Sequence, residues 1–429
     1  MSGSLFSSKK SLAGLELSAA LALTAAAAAL HFTFLEHAGG LWRDEVVSFN
    51  IAAQPSLAQM HEAVRFDSFP NLYHLMLRGW IGLGFGASDL GTRSLGLAIG
   101  LAVLGALWWT SRAFGSKAPL FSLLLIGVSG LSVRTTDAVR AYGIGVLCIA
   151  FCFGSIWRLV TQPSAKNALL AAAAALLSVQ ALYQNAFLLG ALCLAGMLTC
   201  VRHRLWKRAA LIGGVGLIAA LSLVIYLPAL RQLGELRPLI AARVGLPHLL
   251  GVAVLALRDG SNGRLCLWVC LLVGYVVLAW RWVRRPAPVG EASADVVPFT
   301  LAAFALGIAL FFAWLLMLGF PTQTWYYLPL MAFAALALDA AWPSLFAGDQ
   351  ARLVRVYAVG AGAGLCFLVS WSGVHMRQTN VDVIAARLGR LAGPEDLIIV
   401  DQWYNGASFS RYFTGKTRWT TLPPLRDQT

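Results

Sequence analysis

The chain has 429 residues, of which 59% are hydrophobic and only 12% charged, with a mean hydropathy of +0.71. A soluble domain carries about 25% charged residues, so a soluble enzyme, a disordered protein and a secreted disulfide scaffold are all excluded. The net charge of +14 reads as the basic loops that orient a membrane protein, and no nucleic-acid partner is expected.

Lys9 and Lys10 precede an apolar run over 12–34. A cleaved signal peptide has a shorter core of about 7–15 residues, so this run predicts a first anchor with a cytoplasmic N-terminus. Residues 35–93 form a polar first outer loop. Within it, 70–85 is interrupted by His74, Arg78 and glycines and predicts a helix lying at the membrane surface. Ten further spans are predicted near 94–111, 119–133, 139–157, 167–182, 185–201, 209–227, 265–280, 298–318, 325–341 and 354–371. That makes about eleven and places the C-terminus outside. Segments assigned to the inside carry roughly twice the Lys/Arg density of those outside, as the orientation rule requires.

Residues 373–429 predict a small extracytoplasmic α/β cap: a polar helix over 380–391, the apolar run 396–400 and a short helix near 407–413. The expected fold class is thus an all-α polytopic membrane protein over 1–372, with surface helices in its first outer loop, plus this cap. The seven cysteines lie in apolar runs with no His or carboxylate to complete a zinc site, and read as packing residues.

The strongest local signal is LWRDEVVSFNIA (41–52). Asp44 and Glu45 open an amphipathic helix, where carboxylates gain from the helix dipole; taken alone, a capping Asp beside a solvated Glu explains them. Two more acids join them: Asp67 in RFDSFPNLYH (65–74) and Asp137 in VRTTDAVRAYG (133–143), flanked by Arg134 and Arg140. The topology brings all of them to one membrane face. Ionisable groups so close to hydrocarbon are costly unless paired or used, and Asp137 with Arg140, at i,i+3, can form a structural pair. Alternatively Asp67 and Asp137 can hold a divalent ion such as Mg, Mn or Zn beside guanidinium groups suited to phosphate. Of Arg231, Arg237, Arg243, Arg258 and Arg264 in the loop 228–264, Arg258 is the best phosphate candidate because it ends an apolar helix-like run. Gln323, Trp325 and Tyr326 in GFPTQTWYYLP (319–329) read either as an interfacial aromatic belt or as a sugar-stacking surface. Tyr183, Gln184 and Asn185 read as a turn, and His74 and His248 as packing residues.

The order of a first span, LWRDE, D-x-x-P-x-L-Y (67–73), a span entered by Arg93-Ser94-Leu95, and D-x-x-R-A-Y (137–142) resembles the GT-C superfamily of membrane glycosyltransferases. Within it, the pattern is similar to the branch of protein O-mannosyltransferases and the aminoarabinose transferase, which use polyprenyl-phosphate sugars. The motif-bearing match covers roughly residues 10–190. The resemblance implies Asp44 as general base with Glu45 beside it and the donor phosphate near Arg140, with Arg134 and Tyr142 of the same motif and Arg258 of the arginine-rich loop as further phosphate candidates. Tyr73 of the L-Y motif and the loop residues Gln323, Trp325 and Tyr326 are the candidates near the sugar or acceptor. The family's H-P-P-L-Y stands here as FPNLY, with Phe69 and Asn71 replacing the His and second Pro, which removes one metal or phosphate contact.

The implied reaction is inverting transfer of a sugar to an acceptor hydroxyl on a glycan, lipid or protein, at the extracytoplasmic face of the plasma (bacterial inner) membrane. The chain holds no D-x-D triplet, in keeping with a lipid-linked donor. The competing expectation is a lipid or glycolipid flippase; such transporters favour broken or charged helices near the midplane and related halves, and no half-repeat is present.

Overall fold

Hydrocarbon offers no partners to backbone N–H and C=O groups, so the apolar runs of this chain fold as helices. The computed structural model describes residues 2–65, 67–228, 244–284, 295–346 and 348–422. In chain order the helices are α1 (Ser2–His37), α2 (Arg43–Ala52), α3 (Leu57–Val64), α4 (Leu72–Gly82), α5 (Asp89–Ala113), α6 (Leu120–Ser122) and α7 (Gly130–Thr136). There follow α8 (Tyr142–Thr161), α9 (Ala165–Ala181), α10 (Asn185–Arg202), α11 (Trp206–Leu221), α12 (Leu246–Arg258), α13 (Asn262–Val283) and α14 (Val296–Leu318). The chain closes with α15 (Leu328–Leu345), α16 (Asp349–Val374), α17 (Val381–Leu391), β1 (Leu397–Asp401), α18 (Gly406–Tyr412) and β2 (Arg418–Leu422).

Among the described residues, nine segments are long and apolar enough to cross a membrane, and they contain α1, α5, α8, α10, α11, α13, α14, α15 and α16. Two of the eleven expected spans take another form. The one at 167–182 is α9, whose 17 residues reach only about 26 Å at 1.5 Å per residue. The one at 119–133 is a broken helix. It starts after Pro119 as α6, passes through a π-helical turn over Leu123–Gly127, breaks at Val128–Ser129 and resumes as α7. The break is tolerated because residues 118–133 are all buried and the freed amides find carboxylates from other helices. Asp339 accepts from Phe121 N at 3.0 Å and Ser122 N at 2.7 Å; Asp259 accepts from Leu131 N at 2.9 Å and Ser129 Oγ at 2.8 Å. The segment read as an extended loop, 228–264, holds the short apolar helix α12; Arg231, Arg237 and Arg243 lie outside the described residues.

The first loop folds into α2, α3 and α4. Leu41, Val46, Phe69, Tyr73 and Leu77 from this layer bury against Leu95 and Ile99 of α5 and Val139. The chain at 137 lies directly on α5: a Cβ at Gly96 would sit 2.0 Å from the Asp137 carbonyl oxygen, and one at Gly100 2.0 Å from its carboxylate. Small residues four apart thus let a polar loop press onto a helix.

In the cap, β1 and β2 pair in parallel, Leu397 opposite Arg418, with α18 as the crossover. The cap is tied to the first loop because Arg411 Nη2 and Tyr412 Oη donate to Asp89 at 2.8 and 2.6 Å, and the Leu41 amide donates to Tyr412 Oη.

Candidate active site

A cavity of about 300 Å³ opens where the start of α2, helix α7, the 137–142 turn and the 3₁₀ turn Thr324–Tyr327 meet. Its wall includes Trp42, Arg134, Arg140, Tyr142 and Trp325. Leu131, Arg134 and Thr135, at i, i+3 and i+4 on α7, present one helical face to it. Trp42 and Trp325 meet edge to face, 6.0 Å between centroids.

The adjacent acids at the start of α2 have different surroundings. Glu45 is completely buried and saturated: Arg93 Nη1 and Nη2 donate to its two oxygens at 2.7 and 2.6 Å, Val139 N at 2.9 Å and Trp42 N at 3.0 Å. It caps its own helix, holds α5, and fastens the 137–142 turn. Burial pushes its carboxyl above the ordinary range, while Arg93 pulls it back. Glu45, expected beside the Asp44 base, thus has both carboxylate oxygens occupied by donors from its own helix start, α5 and the 137–142 turn. Asp44 points to the accessible side, its carboxylate one quarter exposed and accepting from Arg43 Nε at 2.7 Å. The Arg43 guanidinium lies 4.5 Å from the ring centroid of Tyr404 in the cap.

Arg140 knits the site together. Its Nη1 donates to the Asp44 carbonyl at 3.2 Å and Ser48 Oγ at 3.0 Å, and its Nη1 and Nη2 grip Asp67 at 3.3 and 3.2 Å. It also lies 4.4 Å over the Phe69 ring. Asp67 takes a further bond from His74 Nε2 at 3.1 Å. Burial by itself would raise the Asp67 carboxyl, but Arg140 and His74 outweigh it and hold the pKa down to about 2. Burial likewise opposes the Arg140 charge, and Asp67 and Asp44 more than restore it.

Asp137 does not pair with Arg140, as i,i+3 spacing on a helix would allow, because α7 ends at Thr136 and the chain turns. Its carboxylate instead bonds His31 Nδ1 of α1 at 2.8 Å and Thr136 Oγ1 at 3.1 Å. Asp67 and Asp137 thus face separate partners, and no group of three His, Cys, Asp or Glu among the described residues is arranged to hold a metal ion. The donor set does not fit the shared divalent ion considered from the sequence.

Arg134 lines the cavity with no charged or hydrogen-bonding partner among the described residues. Arg258 ends α12 exposed, next to the Asp259 that caps α7. Trp325 and Tyr142 form part of the wall, while Tyr326 packs against Tyr142, 5.9 Å between centroids. Gln323 is exposed at the entry of the 3₁₀ turn and is not part of the wall; Thr324 and Trp325 are. Tyr73 is fully buried in the α2–α4 layer and is not part of the cavity wall, and burial raises its phenol.

Sequence reasoning missed Arg93, His31, His74 and Trp42. His31 carried a usable signal, an ionisable residue within an apolar segment, and Arg93 stood inside a quoted motif without a role.

Neither a protein-family model nor a curated protein matches this sequence. Solved structures do match. ArnT from Cupriavidus metallidurans, bound to undecaprenyl phosphate, superposes with a TM-score of 0.59 at 15% identity, over 93% of this chain and 85% of that one. The apo form gives 0.58 at 14% identity, over 94% and 85%. The Archaeoglobus fulgidus oligosaccharyltransferase, in complex with Zn and sulfate, gives 0.53 at 11% identity, over 92% of this chain and 62% of that one. The chain has the GT-C fold of these membrane glycosyltransferases, as the motif order implied.

Proposed function

We propose that the protein is a membrane glycosyltransferase that moves a hexosyl or pentosyl group from a polyprenyl phosphate to an acceptor hydroxyl, with inversion. The observation that carries this reading is an accessible carboxylate, Asp44, beside a cavity lined by Arg134, which has no partner among the described residues, and by Arg140, which is paired with Asp67. The undecaprenyl phosphate in the ArnT structure supports the donor class.

Asp44 accepts the proton of the acceptor hydroxyl as its oxygen attacks C1. The new C1–O bond forms as the C1–O bond to phosphate breaks on the opposite face, and the electron pair leaves on polyprenyl phosphate. One base suffices, because a phosphate leaves as an anion without needing a proton. The charge that develops there needs pre-oriented cations. Arg134, without a charged or hydrogen-bonding partner among the described residues, supplies one at the cavity; Arg140, already neutralised by Asp67, orients the Asp44 segment. Trp42, Trp325 and Tyr142 offer aromatic faces to a sugar ring. The lysine and arginine distribution supports a cytoplasmic N-terminus, with the site at the outer face of the plasma membrane.

The test is sugar transfer from a synthetic polyprenyl-phosphate sugar by purified protein in lipid. Asp44→Asn should lose turnover by about 10²–10⁴-fold, the range for a general base, while still binding the donor. Full turnover in that variant would remove Asp44 as the base.

A further inference from the structure

The broken segment from α6 to α7 is held by one device used twice. Where each helical piece begins, a carboxylate from a distant part of the chain accepts its first amides, and each carboxylate is paired with a buried arginine: Asp339 with Arg355 at 2.6 Å, and Asp259 with Arg264 at 2.8 Å. The two copies differ in position. Asp339 caps α6, at the end of the broken segment away from α7. Asp259 caps α7 itself, whose opposite end carries Arg134 and Thr135 into the cavity wall.

The Asp259 clamp is over-determined. Its carboxylate accepts Leu131 N and Ser129 Oγ. Arg264 also donates to the Val128 carbonyl at 3.1 Å and to Ser370 Oγ at 3.1 Å, and Ser370 Oγ donates to the same carbonyl at 2.7 Å. The Val128 carbonyl, the Ser129 hydroxyl and the Leu131 amide are thereby tied to α13, α16 or the α12–α13 turn. Asp259 itself sits at φ +39°, a left-handed conformation that non-glycine residues adopt at a cost and that persists when the surroundings enforce it. A seven-residue helix has little stability of its own, so its direction, and that of Arg134, is set by what grips its first turn.

We propose that Asp259 and Arg264 are positioning residues for the donor phosphate: the clamp sets the axis of α7 and thereby delivers the Arg134 guanidinium to the cavity. The inference rests on the reading of Arg134 as a phosphate contact given above.

The experiment measures binding of undecaprenyl phosphate to the full chain in nanodiscs, together with amide hydrogen exchange over 129–136. Asp259→Asn removes the charge; Asp259→Glu keeps the ion pair with Arg264 while displacing the cap, and serves if the first variant folds poorly. Both should exchange faster at 129–136 and bind the lipid about 10- to 100-fold more weakly, the loss of one charge-assisted contact. Arg134→Gln should weaken binding to the same extent with exchange unchanged, and combining it with either Asp259 variant should add almost nothing, since both act through one contact. Asp339→Asn, the same change in the remote copy, should lower thermal stability with lipid affinity unchanged. Parent affinity in the Asp259 variants beside a weakened Arg134→Gln overturns the positioning role. Parent affinity in Arg134→Gln overturns the phosphate reading, whereas unchanged exchange at 129–136 in the Asp259 variants overturns the clamp, so the two failures are read separately.

Discussion

Asp44 and Glu45 are neighbours in sequence, yet substituting each by its amide should give opposite phenotypes. In Glu45→Gln the side chain keeps its shape and loses its charge. Each carboxylate oxygen faces two donors: one meets Arg93 Nη1 and Val139 N, the other Arg93 Nη2 and Trp42 N. Whichever oxygen becomes an NH₂ group, it points its hydrogens at two other donors, so no flip of the amide rescues the site. Two hydrogen bonds are lost and Arg93, itself only 1% exposed, is left as a buried unpaired cation. Breaking a buried pair from one side costs about 3–5 kcal/mol, enough to be a large fraction of the stability of most folded domains. Asp44→Asn, by contrast, gives up one contact with a solvated arginine, and exposed pairs of this kind contribute about 0–1 kcal/mol. Thermal unfolding of both variants in the same detergent, followed by tryptophan fluorescence, should show a marked drop for Glu45→Gln and almost none for Asp44→Asn, with turnover abolished in the latter. A Glu45→Gln protein as stable as the parent would refute the account of Glu45 as the fastener of the 137–142 turn. Partial recovery in a Glu45→Met/Arg93→Met double variant, which removes both charges, would further support it.

Three further outcomes follow from the same geometry. The Asp67 pKa of about 2 lies below the ordinary value of about 3.9, so the folded state takes up this proton later than the unfolded chain. Its stabilising contribution is complete above about pH 4 and is lost as pH falls through about 2; the parent's melting temperature should decline across that window more steeply than that of Asp67→Asn. Gly100→Ala would bring a methyl group 2.0 Å from the Asp137 carboxylate and 2.6 Å from the His31 ring, an overpacking cost of about 1–3 kcal/mol. Gly105→Ala on the same helix meets nothing within 4 Å and should be neutral or stabilising in the same melting assay. Trp325→Ala should raise the KM for the sugar donor with a smaller effect on the melting temperature; an unchanged KM would remove Trp325 from the sugar site.

Membrane character and helical class were legible in the residues themselves. Apolar runs of span length have essentially one backbone solution in hydrocarbon, and an acid placed directly after a span stands at the membrane boundary whatever the tertiary arrangement. That much requires only local pattern and the properties of the bilayer. Tertiary structure decided which neighbour each charged group found. Asp137 and Arg140 were spaced to pair with each other; the end of α7 at Thr136 and the slot at Gly96 and Gly100 sent one to His31 and the other to Asp67. The run at 119–133 was apolar enough to be read as a continuous span. It is broken because Asp339 and Asp259, 128 or more residues away in sequence, satisfy amides that an isolated helix would have to satisfy internally. Hydropathy is a property of each residue, whereas the partner of a buried charge is a property of the packing, and only the folded chain specifies it.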